Sequence, residues 1–335
     1  MTTAAVVGIG DISGNHLSAI ADNPAIDLVA VCDVLPARAA AAGQRWGVPS
    51  FTDHLTMLAE TRPDVVHITL PHYLHAPVAI DALRAGSHVL TEKPLAHTVA
   101  AGRELADAAR ASDRKLAVCF QNRYNPTSRA LHDAVQSGRF GEIRGVRATT
   151  FWSRGAAYYA AAPWRGTWAQ AGGGTLINQV IHTIDLLCWM LGAPSDVSGS
   201  ASNLRLRDVI EVEDAAVISI VHDSGVRSTF FATGAHTDNA PVEIEVSCSE
   251  GLLRFTGGAL RHVAPDGTVT PLAADTQATG ERSYWGRSHG MLIDDFYAGL
   301  DSPEPFWIGA DDALVSLQVL RTVYAQSGLI PADEL

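Results

Sequence analysis

The segment His88-Val89-Leu90-Thr91-Glu92-Lys93-Pro94 ends an apolar, strand-like run on a lysine and a proline. Pro94 fixes its own φ and pushes Lys93 toward an extended conformation, so the pair presents an amine rigidly. Alcohol oxidation needs a group that takes the hydroxyl proton and a donor that steadies charge developing on oxygen, and Lys93 suits either role. Beside another positive charge, its amine would have a lowered pKa. Glu92 either steadies Lys93 or points away from it; the sequence leaves both open. A second candidate is His182, the side-chain type best suited to exchange protons near neutrality. Asn178, His182 and Asp185 stand at i, i+4 and i+7, so a regular helix would carry all three on one face, where one group can orient the next.

These groups need a partner for the hydride, and the beginning of the chain suggests one. Ala4-Ala5-Val6-Val7 runs into Gly8-Ile9-Gly10-Asp11-Ile12-Ser13-Gly14 and then a helical pattern from about Asn15 to Ala21. A strand, a glycine turn and a helix start together bring backbone N–H groups to a pyrophosphate. Ser13 stands where the third glycine of G-x-G-x-x-G is usual, with Gly14 beside it. The strand Leu28 to Cys32 ends at Asp33, the right distance for a carboxylate to accept from adenosine ribose hydroxyls. Such a carboxylate repels a 2'-phosphate and favours NAD, while Arg38 close by leaves NADP open.

The length of 335 residues predicts two domains, and 47% hydrophobic with 18% charged residues suits a globular enzyme. A formal charge of -12 argues against a nucleic-acid or anionic-membrane surface and leaves a small molecule as the expected partner. An apolar strand close to Met1, and the lack of any span-length apolar run, predict a cytoplasmic protein. Cys32, Cys119, Cys188 and Cys248 lack metal or redox spacing and read as buried free thiols. His72 and His75, at i and i+3, have no acidic or cysteine cluster in the sequence beside them, so no metal site is expected.

From residue 1 to 122 short apolar runs alternate with amphipathic segments, as in a doubly wound parallel sheet. Strands are expected at 65–70, 88–90 and 116–120, and helices at 76–85 and 99–111, the former closed by Gly86. From residue 123 to 335 period-two alternation takes over at 144–152, 215–222, 226–232, 242–248 and 252–255, predicting mostly antiparallel strands. Helices are expected at 176–191, 291–300 and 310–325. Between strand and glycine turn, Trp152, Arg154, Tyr158, Tyr159, Trp164, Arg165 and Trp168 crowd into a loop-like segment. Flat apolar faces with hydrogen-bonding neighbours suit sugar rings, and a subunit interface is the competing explanation. Arg123 and Asn125, at the expected domain junction, either reach the same site or cap a helix.

Together, Gly8-Ile9-Gly10, Asp33, Pro71-His72-Tyr73-Leu74-His75, Glu92-Lys93-Pro94, Arg123-Tyr124-Asn125-Pro126, Gly172-Gly173-Gly174 leading to His182, and the closing helix resemble the Gfo/Idh/MocA oxidoreductases over essentially the whole chain. The resemblance implies an N-terminal Rossmann domain, a C-terminal domain with a large open sheet, and an active site in the cleft between them. It also implies homodimers or homotetramers formed through the sheet's outer face. It places the Pro71–His75 loop at the cofactor, with backbone and His75 toward the ribose or nicotinamide. Asn178 departs from the family's usual aspartate; it can position a substrate hydroxyl or His182 but supplies neither charge nor base. The expected activity is hydride transfer between NAD(P) and a sugar, sugar derivative or cyclic polyol. An NAD-dependent glycoside hydrolase working by transient oxidation, or a non-catalytic NAD sensor, are the alternatives.

Overall fold

The computed structural model describes residues 1–275 and 287–334, which divide into two units. The first contains residues 1–121 together with 287–314, and the second contains 122–275 with 315–334. A single cut after residue 122 therefore marks only the first crossing of the chain, because a late helix returns to the first unit.

In the first unit β1 (Thr2–Val7), α1 (Ser13–Asp22), β2 (Ile26–Cys32), α2 (Pro36–Trp46), β3 (Ser50–Phe51), α3 (His54–Thr61), β4 (Val65–Ile68), α4 (His75–Arg84), β5 (His88–Thr91), α5 (Val99–Arg110) and β6 (Leu116–Val118) alternate. The six strands are parallel in the order β3-β2-β1-β4-β5-β6. Parallel strands covered on both faces read as unbroken apolar runs, and Ala4, Ala5 and Val6, like Val65 and Val66, are fully buried. The order reverses between β1 and β4, so a crevice opens at their carboxyl ends, where open α/β sheets bind ligands.

The second unit begins with α6 (Pro126–Gln136) and β7 (Ile143–Phe151), followed by the short helices α7 (Ala156–Ala160) and α8 (Trp168–Ala171). A π-helical turn, Leu176–Val180, then runs into α9 (Ile181–Leu191). Strands β8 (Pro194–Ser202), β9 (Ala215–His222), β10 (Arg227–Thr233), β11 (Glu243–Cys248), β12 (Gly251–Thr256), β13 (Ala259–Val263) and β14 (Val269–Ala274) complete an eight-stranded sheet, ordered β14-β13-β12-β11-β7-β10-β9-β8. Among the described residues of this sheet, β7 and β10 pair in parallel and the other neighbours are antiparallel. Alternation is clean on β9 and β10: Ile218, Ile220 and Phe230 are buried, whereas Val217 and Phe231 face outward. On the outward side Arg147 of β7 and Arg254 of β12 both pair with Glu245 of β11 at 2.9 Å, a cross-strand charge ladder.

After the break come α10 (Ser288–Ala298), which belongs to the first unit, and the closing helix α11 (Ala310–Gln326), whose first residues belong to the first unit and whose remainder belongs to the second. All four cysteines are buried free thiols. No helix of the described residues is long and apolar enough to cross a membrane.

Candidate active site

The glycine turn after β1 is built for close backbone approach. Gly8 has φ +93°, and a Cβ there would stand 2.8 Å from the Thr69 carbonyl oxygen at the end of β4; the Thr69 hydroxyl also bonds the Gly8 carbonyl. At Gly10 and Gly14 an added Cβ would meet nothing within 4 Å, so the turn borders open space. The first turn of α1 carries no acidic residue and its N-cap, Ile12, makes no side-chain cap, while Ser13 folds its hydroxyl onto the Gly10 carbonyl at 2.7 Å. Helix-end amides without a side-chain cap, beside open space, fit a bound pyrophosphate.

Asp33 is 6% exposed and stitches this turn together. Its Oδ2 accepts from the Ile9 amide at 2.8 Å and its Oδ1 from the Leu35 amide at 2.9 Å. Arg38 Nη1 approaches Oδ2 at 3.4 Å from a largely exposed side chain.

Pro71 opens the loop after β4, and His72 and His75 both turn inward. His75 is fully buried between carbonyls, with Nδ1 2.7 Å from Pro94 O and Nε2 2.8 Å from Leu70 O. It ties the loop after β4 to the end of the Lys93–Pro94 segment. Burial holds its pKa below the usual imidazole range, against the pull of the two carbonyls. The Lys93–Pro94 peptide is cis. Lys93 is half-buried, and its backbone N–H donates to Glu92 Oε2 at 3.3 Å. Of the two orientations open to Glu92, the side chain takes the one that steadies the Lys93 backbone.

Around Glu92 lies a cluster that sequence reading missed. Glu92 Oε1 is 3.2 Å from His16 Nε2 and 3.1 Å from His289 Nε2. His16 Nδ1 meets His67 Nδ1 at 2.9 Å, and His67 Nε2 meets the Tyr297 hydroxyl at 2.8 Å. The ligand atoms of His16, Glu92 and Cys119 lie within 4.8 Å of one another. Partners 76 and 197 residues from Glu92 leave no local trace in a sequence.

In the second unit the triple glycine closes tightly: Gly174 passes so near the Glu213 backbone that no side chain would fit. The fully buried Glu213 anchors the turn, accepting from the amides of Gly174 at 2.7 Å and Leu176 at 2.8 Å and from the Tyr324 hydroxyl at 3.1 Å. Burial outweighs these donors and pushes its carboxyl up to about 7 from 4.5. A raised folded-state pKa means that the contribution is complete below the unfolded pKa and is lost as pH rises through 7. Urea unfolding at pH 5 and pH 8 is therefore expected to show Glu213→Ala costing more at the lower pH, by up to about 3 kcal/mol.

The π-helical turn changes the spacing on which the shared face of Asn178, His182 and Asp185 rested, because the Ile181 amide reaches back to Leu176 O. Asn178 is buried, His182 half-buried, and Asp185 is committed elsewhere. Asp185 takes a bidentate grip from Arg123, at 2.9 and 2.6 Å, with both side chains at most 5% exposed. Arg123 thus neither caps a helix nor stands open to a substrate; it holds α9 one turn beyond His182. Next to Asn178, Gln179 donates to the Tyr158 hydroxyl at 2.9 Å and so fixes the aromatic segment to the same turn.

That segment is short helices rather than loop. Arg154 lies over Trp152 at 4.9 Å, and Arg165 over Tyr158 at 4.6 Å and Trp164 at 5.8 Å, which leaves half-buried aromatic and cationic surface. Tyr159 faces the other way, 4% exposed and packed with Ile210 and Val212. It is a core residue here, and the Cβ of the neighbouring glycine, Gly166, would have no room beside Ile210.

Comparison with known proteins agrees with this architecture. Residues 2–120 match the model of an oxidoreductase family with an NAD-binding Rossmann fold, and residues 128–254 match the GFO/IDH/MocA C-terminal domain. The chain is 32% identical over 206 residues to D-glucoside 3-dehydrogenase of Escherichia coli K12, an alignment spanning 60% of this chain and 57% of that enzyme. It is 30% identical over 278 residues to D-apiose dehydrogenase of Paraburkholderia graminis, covering 81% and 72% respectively. The WlbA dehydrogenase of Chromobacterium violaceum, solved with NADH and UDP-GlcNAcA, superposes with a TM-score of 0.85 at 30% identity over 98% of this chain and 94% of that one. The chain belongs to the Gfo/Idh/MocA family of NAD-binding oxidoreductases.

Proposed function

We propose that this chain is an NAD-dependent dehydrogenase acting on a CH–OH group of a sugar, sugar derivative or cyclic polyol, with Lys93 and His182 handling the proton and Asn178 positioning the substrate. The observation that carries the reading is the uncapped glycine turn at the switch point of the sheet, with Lys93 fixed at the end of the strand that neighbours β4. The relatives act on glucosides and apiose, and a neighbour holds a nucleotide-linked sugar acid, which supports a carbohydrate-like substrate.

Gly8, Gly10, Asp11, Ile12 and Ser13 would cradle the pyrophosphate, Asp33 the ribose, and Pro71 and the backbone around it the nicotinamide end. NAD bound there supplies the hydride acceptor. His72 and His75 support this loop from inside, and Glu92 with Pro94 supports Lys93. Of the aromatic group, Trp152, Trp164 and Arg165 are the proposed sugar-facing surface; Tyr159 and Arg123 brace it.

The deciding test is reduced-nicotinamide absorbance when pure protein is offered NAD or NADP with glucosides, pentoses, inositols and nucleotide-linked sugars. Turnover would confirm a dehydrogenase and name its substrate class. Tight cofactor binding with hydrolysis of a glycoside but no net NADH release would replace this reading with redox-assisted hydrolysis. Asp33 should decide the nucleotide: Asp33→Ser is expected to weaken NADH binding roughly tenfold and to narrow the preference over NADPH, read by nucleotide fluorescence titration. A cytoplasmic homo-oligomer joined through the outer face of the large sheet, where Val217 and Phe231 are exposed, completes the proposal; light scattering tests the assembly.

A further inference from the structure

The helical segment that carries Asn178 and His182 has no cap of its own. Thr175, at its front, makes no side-chain cap bond, and the first turn holds no acidic residue. Unpaired amides at a helix start need acceptors, and here three consecutive ones find them on a single residue from another part of the chain. Glu213 accepts from Gly174 N–H on Oε2, from Thr175 N–H on its backbone carbonyl at 3.2 Å, and from Leu176 N–H on Oε1. Glu213 is itself tied to the sheet, because the next residue, Asp214, donates to Ser202 O at the end of β8 and accepts from Gly234 N–H after β10. From α11, Tyr324 donates to Oε1 with its ring set edge-on against Trp168, and Arg321 Nη1 holds the Gly172 carbonyl at 3.0 Å. Gly174, Leu176 and Tyr324 thus bring three donors to two side-chain oxygens, and a carboxylate is the side chain that offers acceptors on both.

The back of the segment is held separately, by Arg123 on Asp185. Between the two anchors the bonding changes pitch: the Asn178 amide reaches Gly174 O, four residues back, whereas the Ile181 amide reaches Leu176 O, five back. One residue more than an α-helix would hold is fitted between them as the π turn. Asn178 belongs to the front piece and His182 to the back. The surplus residue therefore rotates one against the other, by about 100° relative to an unbroken α-helix. We propose that Glu213, steadied by Tyr324, is the positioning residue for Asn178: its carboxylate caps the front of this helix from the sheet, keeps the π turn from closing to α-helical pitch, and so fixes the direction of Asn178 relative to His182. The proposal rests on reading those two residues as the substrate-positioning and proton-handling groups. Glu213 and Tyr324 are both fully buried and act through the backbone of residues 174–176, not on the substrate.

Glu213→Gln tests this with the side-chain shape kept. A glutamine offers one oxygen and turns an NH2 toward the other amide, so one N–H of the front turn faces a donor. Crystal structures of the wild type and the variant at pH 8, above the value of about 7 to which burial lifts the Glu213 carboxyl, read the register directly. In the variant the Ile181 amide is expected to move from Leu176 O to Ile177 O; an amide that stays on Leu176 O overturns the proposal. Kinetics with the substrate found by the panel give the second reading. KM is expected to rise about tenfold and kcat to fall about tenfold, the scale on which a misplaced positioning group acts, with the NADH dissociation constant within about twofold. A smaller folded fraction lowers kcat alone, so an unchanged KM shows Glu213 to be structural only and also overturns the proposal. If Glu213→Gln does not fold, Glu213→Asp decides by the same two readings, because it keeps both acceptor oxygens and withdraws them from the amides by one methylene. Failure of the dehydrogenase reading is separate: the wild type then turns over nothing in the panel, and the Ile181 register decides the proposal by itself.

Discussion

Lys93→Met is expected to lower kcat at least a thousandfold while changing the NADH dissociation constant by no more than about threefold. Two effects combine in the first number. Losing proton transfer typically costs 10²–10⁴-fold, and losing a donor aimed at developing charge costs about 10²–10³-fold; the two overlap because one amine makes both contributions. The second number follows from where the backbone is held. Methionine keeps the length of the stem, and the bonds that fix this segment, Lys93 N–H to Glu92 and Pro94 O to His75, involve main chain at position 93 and 94. The glycine turn and Asp33 are untouched. Stopped-flow turnover with the substrate found by the panel, beside NADH fluorescence titration, separates the two quantities. A parallel loss of both would show Lys93 to be structural and would remove the main support for the proposed mechanism.

Much of this scaffold is legible in the sequence because its signals are local. Strand β1, the glycine turn and α1 form one contiguous pattern, and β9 is recovered at its observed bounds from strict alternation. Elements without local signals are not recovered. Strand β3 is two residues long, and β8 reads Pro194-Ser-Asp-Val-Ser-Gly-Ser-Ala-Ser202, an edge strand too polar and small to show alternation. The π-helical turn at Leu176–Val180 is invisible because five consecutive buried residues, Leu-Ile-Asn-Gln-Val, show no polar-apolar period that tells one helical pitch from the other. The site divides in the same way. Lys93 and His182 stand out by residue type and motif, whereas the groups that brace them stand out only by contact. His289 lies 197 residues from the Glu92 it holds, and Glu213 reaches back 39 residues to Gly174. Aromatic density identified the segment around Trp164 but not which rings face inward, so Tyr159, expected with that group against a sugar ring or an interface, is core.

The Arg123–Asp185 pair carries the largest expected effect on stability. Each side chain is at most 5% exposed, and the two make a bidentate contact in the second unit. Removing one partner leaves a buried charge with its principal counter-ion gone, so Arg123→Leu alone is expected to destabilise by about 3–5 kcal/mol, and Asp185→Leu by a similar amount. Leu187, Ile184 and Leu186 around Asp185 on α9 are all buried, so a leucine there meets apolar neighbours. The double variant Arg123→Leu/Asp185→Leu should therefore recover most of the loss, since a well-packed apolar pair is commonly as stable as a buried ion pair. Urea midpoints at constant m-value test this as a double-mutant cycle, and additive losses would show that the charges contribute independently. The cycle also bears on function. Asp185 lies one turn beyond His182 on α9, so the refolded double variant keeps the helix and loses its fixed anchor. If that anchor positions His182, the double variant regains stability without regaining kcat; if the pair only holds the fold together, the two return in step.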